Sequence, residues 1–286
     1  MRIARFVMDG TARLGVVVGD EVADLTHADP TLPTDVGAVL AAGLLDALGS
    51  LLPRAPRVPL ESVRLEAPIV RPPSFLAVGL NYREHIDESG MTQADLPIFF
   101  NKQVTCVTGP NDPIVVPAAA PDHVDYEGEL GIVIGTRCRA VPAARAHQVV
   151  AGFLVVNDVS VRDWQFATSQ WTMGKGWDSH GPIGPWLVTA DELPDRDPHR
   201  LRLTTVVDGE VRQDSMTDHM INDCWRLIEF VSTASTLLPG TIIATGTPAG
   251  VGYHMDPPRM LRPGSRVHVE IEGIGAIDNP VIAEPQ

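Results

Sequence analysis

The chain has 286 residues, 44% of them hydrophobic, enough for one large domain or one domain with a small appendage and a substantial core. Its formal charge of −14, with no run of Lys or Arg, excludes the basic patches that a nucleic acid or an anionic membrane would need, so an anionic ligand must be captured by a metal or a few placed cations. No stretch approaches the ~18 apolar residues of a membrane span and the first ten residues lack the apolar core of a signal peptide, so a cytoplasmic protein is expected.

Residues 5–7, 14–18 and 21–25 read as short strands that turn at Asp9-Gly10 and Gly19-Asp20. Residues 35–52 are rich in Ala and Leu and predict a helix. Pro53, Pro56, Pro59, Pro68, Pro72 and Pro73 then exclude a regular helix or a central strand, which predicts a small N-terminal domain over residues 1–70 and a second domain over 71–286. From residue 74 onward the chain turns to short β-branched runs at 114–116, 130–134, 153–156, 201–207, 241–245 and 267–271. They are separated by Gly and Pro turns, and the pattern predicts a β-rich core of two sheets or a rolled sheet. One helix interrupts it, because Ile221, Cys224, Trp225, Ile228 and Val231 fall at helical steps before Pro239-Gly240. Cys106, Cys138 and Cys224 have no metal-ligand spacing and an odd count, which predicts reduced structural thiols.

Two acids lie two residues apart in the strand-like run 124–135. Period-two alternation puts Glu127 and Glu129 on one side and Tyr126, Leu130, Ile132 and Ile134 on the other. Two parallel carboxylates on a half-buried surface repel unless a cation sits between them, and oxygen-only ligands favour a hard divalent ion: Mg²⁺, Mn²⁺ or Ca²⁺. Asp158, after the apolar run 153–156, is positioned at a strand end to supply a third ligand, although such an Asp often only caps a turn. In 81–88, His85 precedes Glu88 by three residues, so on a short helix the two share a face. A carboxylate on one imidazole nitrogen leaves the other free to deprotonate water, while the bland alternative is a solvated surface pair.

Five stretches carry a resemblance: residues 78–85, the acidic strand 125–135, Asn157 to Gln165, Met173-Gly174-Lys175, and Thr245 to Gly252, with 271–275 also fitting. In that order, over about 74–281, the chain resembles the fumarylacetoacetate hydrolase family, closest to a bacterial branch with 2,4-diketo-3-deoxy-sugar-acid and acylpyruvate hydrolases. The resemblance implies an α+β, β-rich fold, a mixed β-sandwich roll with a small N-terminal α/β domain. It makes Glu127, Glu129 and Asp158 the ligands of Mg²⁺ (or Mn²⁺, with Ca²⁺ the further alternative), and places Arg162 and Lys175 at the site. Arg162 has the alternative of pairing with Asp163 or Glu129. Three carboxylates, a divalent ion and these two cations sum to about +1, which suits a monoanionic keto acid.

The resemblance further implies cleavage of a carbon–carbon bond in a β-diketo acid. His85 with Glu88 activates water on a mobile flap for which Gly79, Gly90 and Pro97 are hinge candidates. Lys175 stabilises the oxyanion or protonates the departing carbanion, which leaves as a metal-stabilised enolate. Gln165, Thr247 and Lys102 are candidate substrate contacts, with a turn-stabilising hydroxyl the equal alternative for Thr247. The segment 245–252 is no phosphate loop, since it lacks the lysine and glycine order of one. The same scaffold supports oxaloacetate-type decarboxylation, keto–enol isomerisation, or a non-catalytic metabolite-binding member. Trp177 and His180 depart from the family pattern close to Lys175 and are expected to reshape the pocket. Gly240-Thr241 and Gly264-Ser265 depart at turns only. A small-molecule keto acid and a second copy of the chain, as a homodimer, are the expected partners, with no nucleic acid and no membrane.

Overall fold

The alternating N-terminal residues form a hairpin in the computed structural model, which describes residues 1–285. Strand Arg2–Met8 pairs antiparallel with Thr11–Val18 through Asp9 and Gly10, both in the left-handed region at φ 53° and 72°, the geometry that a two-residue hairpin turn requires. Glu21–Asp24 adds beside Thr11–Val18, and Arg57–Pro59 closes that edge. The other side of Arg2–Met8 pairs with Gly181–Val188, and the sheet continues through Val150–Asn157, Gly128–Ile134, Ile242–Ala244, Phe75–Gly79 and Ile98–Lys102. The N-terminal strands are therefore one wing of a 12-stranded mixed sheet. A second, five-stranded sheet runs Glu210–Met216, Arg202–Val207, Arg266–Ile271, Gly275–Ala283, Ile114–Val116. The architecture is sheet-rich α+β with mixed sheets, as expected.

Two local expectations need correction, and one strand has no local signal in the sequence. The helix expected over 35–52 is split: Val36–Ala41, capped by Asp35 accepting from the Ala38 N–H, ends before Gly43 at φ 67°, and Leu45–Arg54 continues as a 3₁₀ helix. A left-handed glycine at this point stops a helix that composition alone would continue. Leu25 leaves its strand to open the short helix Leu25–Ala28, capped by the Asp24 carboxylate. The strand Gly181–Val188 went unread because Pro182 and Pro185 cannot donate to a ladder. The adjoining Val150–Asn157 pairing shifts register between Phe153 and Val155 there.

The strand Gly128–Ile134 is buried on both faces rather than half-buried. Leu130, Ile132 and Ile134 pack with Leu203, Val269 and Ile277 of the second sheet and with Leu227 and Ile228 of the helix Cys224–Ala234. On the opposite face Val133 packs with Val36, Val39 and Leu48. Gly131 lies between, because a Cβ there would come within 2.6 Å of Leu154 Cδ1. The acids continue this second face toward the strand's N-terminal end, where apolar core gives way to a cavity.

Candidate active site and metal centre

Backbone pairing fixes the acids. Gly128 stands opposite Asn157, the Asn157 side chain accepts the Glu127 N–H at 3.0 Å, and the Asp158 N–H donates to the Glu127 carbonyl at 2.8 Å. Two adjacent strand ends thus present Glu127, Glu129 and Asp158 to one point. All three are buried, and one carboxylate oxygen from each lies within 4.8 Å of the others.

The cations around them are also buried. Lys175 Nζ donates to Glu127 Oε2 at 2.6 Å and Asp158 Oδ2 at 2.9 Å. Lys102 Nζ donates to Asp158 Oδ1 at 2.6 Å, to the Val159 carbonyl, and to the Lys175 carbonyl. All three protons of Lys102 are engaged, so it braces Asp158 and Lys175, while Lys175 keeps one proton free. Arg162 pairs with neither Asp163 nor Glu129. Its Nε and Nη2 reach Asp125 Oδ2 at 2.9 and 2.7 Å, and its Nη1 reaches Glu127 Oε1 at 2.6 Å and Gln165 Oε1 at 2.9 Å.

Four carboxylates, counting Asp125, thus face three cations, and the uncompensated charge falls on Glu129. Among the described residues it accepts one hydrogen bond, from the Gly246 N–H at 2.7 Å, and joins no ion pair. Burial, then the charges of Asp158 and Glu127, push its carboxyl well above the usual carboxylate range. Burial acts the same way on Glu127, but Lys175 and Arg162 outweigh it and hold that carboxyl far below its ordinary value. For Lys175, burial disfavours the ammonium, and Asp158 and Glu127 reverse this to keep it charged. A buried carboxylate with one backbone donor and no counter-ion, beside two more carboxylates whose oxygens each keep a second lone pair, fits a hard divalent cation.

The helix Arg83–Ser89 covers the site. It ends at Gly90, whose φ of 65° suits a left-handed helix stop. His85 Nδ1 lies 2.7 Å from Glu88 Oε1, and Glu88 Oε2 accepts the Gly250 N–H at 2.9 Å. His85 shares a cavity with Glu127, Lys175, Arg162, Gln165 and Thr247. Thr247 Oγ1 donates its one proton to the Gly128 carbonyl at 3.0 Å and accepts from Gln213, so its hydroxyl braces the turn. Gly79 has a packing role: a Cβ there would come 2.2 Å from the Trp171 ring, which therefore seats against the strand end.

Trp177 and His180 do not line that cavity. Trp177 Nε1 donates to the Met173 carbonyl at 2.8 Å and packs edge-on against Trp164, and His180 Nε2 bonds the Val115 carbonyl at 2.8 Å beside a separate apolar groove. Closeness to Lys175 in sequence does not bring them to the cavity: Lys175 ends the helix Thr172–Lys175, and residues 176–180 line the separate groove instead. Two residues of the site were not singled out from sequence. Asp125 accepts from Arg162 and from the N–H groups of Tyr126, Gly252 and Tyr253, and the period-two pattern extended one step back from Glu127 would have found it. His254 stands edge-on to His85 with ring centroids 6.1 Å apart, and no local pattern marks it.

Residues 74–282 match the family model described as fumarylacetoacetate (FAA) hydrolase C-terminal, and residues 1–68 match the one described as Rv2993c-like, N-terminal. The chain is similar to fumarylacetoacetate hydrolase from psychrophilic Exiguobacterium antarcticum, with 38% identity and a TM-score of 0.87 over 99% of this chain and 100% of that one. It is similar to maleylpyruvate hydrolase from Sphingobium sp. SYK-6, solved with manganese(II) and pyruvate, at 35% identity and TM-score 0.82 over 100% of both chains. A likeness of 36% identity and TM-score 0.79, over 100% of both chains, extends to 2-hydroxyhepta-2,4-diene-1,7-dioate isomerase from Mycobacterium marinum.

Proposed function

The chain belongs to the fumarylacetoacetate hydrolase family, and from that premise we propose that it is a divalent-metal-dependent hydrolase that cleaves a carbon–carbon bond in an acylpyruvate-type β-diketo acid. Glu127, Glu129 and Asp158 would hold Mg²⁺ or Mn²⁺, and manganese with pyruvate in the Sphingobium relative supports that choice. The ion, when bound, supplies a Lewis acid for the keto-acid end of the substrate. The charged Lys175 offers its remaining N–H to the oxygen on which negative charge develops.

The observation that carries hydrolysis is the His85–Glu88 pair, 2.7 Å apart, whose His85 shares a cavity with Glu127 of the acid cluster. Glu88 accepts the Nδ1 proton, which leaves the Nε2 lone pair free to take a proton from water. That water adds to the distal carbonyl. The bond between this carbon and the pyruvyl methylene then breaks, the electron pair stays on the methylene carbon, and a proton returns to it, giving pyruvate and a carboxylic acid. Decarboxylation needs no water activation, and the isomerase relative keeps isomerisation as the second reading. Converting His85 to Ala should lower turnover of an acylpyruvate by about 10² or more while leaving Mn²⁺ affinity intact. Undiminished turnover would remove His85 from the mechanism.

A further inference from the structure

Hydrolysis of an acylpyruvate anion by one water gives two carboxylates and leaves a proton over. The water oxygen bonds to the acyl carbon, the bond from that carbon to the pyruvyl methylene breaks with its electron pair on the methylene, and one water hydrogen ends there. The other hydrogen is lost when the product acid ionises, as an ordinary carboxylic acid does at neutral pH. The product leaves as a carboxylate, so this proton stays on His85, which must shed it before the next turnover. His85 is only 8% exposed, and its Nδ1 side is closed by Glu88, whose two oxygens are taken by His85 and the Gly250 N–H. Lys175, Arg162 and the Glu127 between them form ion pairs that offer no free base.

Among the described residues, His254 is the remaining base on the cavity wall. It ends the short 3₁₀ turn Gly252–His254, which hangs from Asp125: that carboxylate accepts the Gly252 and Tyr253 N–H groups at 2.9 and 3.0 Å and also holds Arg162. The His254 ring stands edge-on to His85 with centroids 6.1 Å apart and edge-on to Tyr253 at 5.1 Å, and it makes no hydrogen bond among the described residues. His254 is half-buried and Tyr253 beside it is 38% exposed, so the turn leads from the buried His85 to solvent. Burial lowers the His254 pKa. Glu88 and Asp125 oppose this, Arg162 and His85 add to it, and the imidazole stays below the usual histidine range and neutral at pH 7. A neutral imidazole has one acceptor and one donor nitrogen, so it takes a proton on one side and releases one on the other. At this separation one water spans the two rings.

We propose that His254 is the proton exit of this site, taking the proton left on His85 through one bridging water and releasing it to bulk solvent. The proposal rests on the hydrolase reading above and deepens it, and it gives His254 no contact with the substrate.

The test follows pyruvate release from 2,4-dioxopentanoate by the full chain with saturating Mn²⁺ in dilute buffer, from the first turnover into the steady state. Proton exit comes after bond cleavage, so His254→Ala should release about one equivalent of pyruvate per site at the wild-type rate and then turn over at least about tenfold more slowly. Added imidazole should restore the steady rate and leave KM unchanged. His254→Gln, which keeps a hydrogen-bonding side chain but carries no proton, should behave as His254→Ala does. A steady rate equal to that of the wild type in dilute buffer overturns the proposal. So does a slowed first turnover, or a low steady rate that imidazole does not lift, since either marks a structural role. If the wild type releases no pyruvate, the hydrolase reading falls and the proton exit with it. If the wild type hydrolyses and both variants keep its steady rate, only the proton exit falls.

Discussion

Glu129 differs from its two neighbours in having no cation of its own, and that difference sets its behaviour. Burial beside Asp158 and Glu127 raises its carboxyl above the usual range, so without an ion it holds a proton that ion binding must expel. Manganese titrations in buffers of different ionisation enthalpy should therefore show proton release, with affinity rising as pH rises. Glu129→Gln should lower Mn²⁺ affinity at least about tenfold while leaving the metal-free thermal midpoint at or above that of the wild type. His180 gives a second prediction. Burial lowers its pKa from 6.5 to about 4, against the opposing hydrogen bond to the Val115 carbonyl. The unfolded chain then binds more protons than the folded one between those values, so stability falls as pH drops from 6.5 to 4, by at most about 1.4 kcal/mol per unit from this residue. Urea midpoints across that window should flatten in His180→Asn relative to the wild type.

At the scale of elements, the lid helix is tied to the rest of the site through Glu88, which bonds His85 with one oxygen and the Gly250 N–H with the other. Gly250 sits at φ 102°, and a Cβ there would come 1.9 Å from the Arg212 carbonyl oxygen. Gly250→Ala should therefore destabilise the fold by about 2 kcal/mol or more and also lower turnover, measured by urea unfolding and by kcat. The β-branched runs were legible in the sequence: residues 114–116, 130–134 and 267–271, and most of 201–207, lie in observed strands. The strand Gly181–Val188 was not, because its prolines contradict the local rule that sheet context overrides. Within the site, the acids and the His85–Glu88 pair were legible as local spacings. The assignment of Arg162 to Asp125, and the placement of His254 and Trp171 around the cavity, depend on loops from distant parts of the chain meeting, which no spacing encodes.

At the scale of the molecule, Gly128–Ile134 lies inside the large sheet between Val150–Asn157 and Ile242–Ala244 and packs on the second sheet, so occupation of the acid cluster at its end is expected to stabilise the whole chain. A divalent ion at 100 times its dissociation constant should add about 2.7 kcal/mol and raise the thermal midpoint, and a chelator should reverse the gain. The homodimer implied by the family resemblance is a proposal that light scattering tests, with twice the chain mass expected. No helix among the described residues is long and apolar enough to cross a membrane. The central claim is metal-assisted hydrolysis, and the direct measurement is product analysis after incubating the full chain with an alkyl acylpyruvate and Mg²⁺ or Mn²⁺. Equimolar pyruvate and carboxylic acid, abolished by chelator and restored by the ion, is the predicted result. Release of carbon dioxide, an isomer of the substrate as sole product, or cleavage unaffected by metal removal would contradict it.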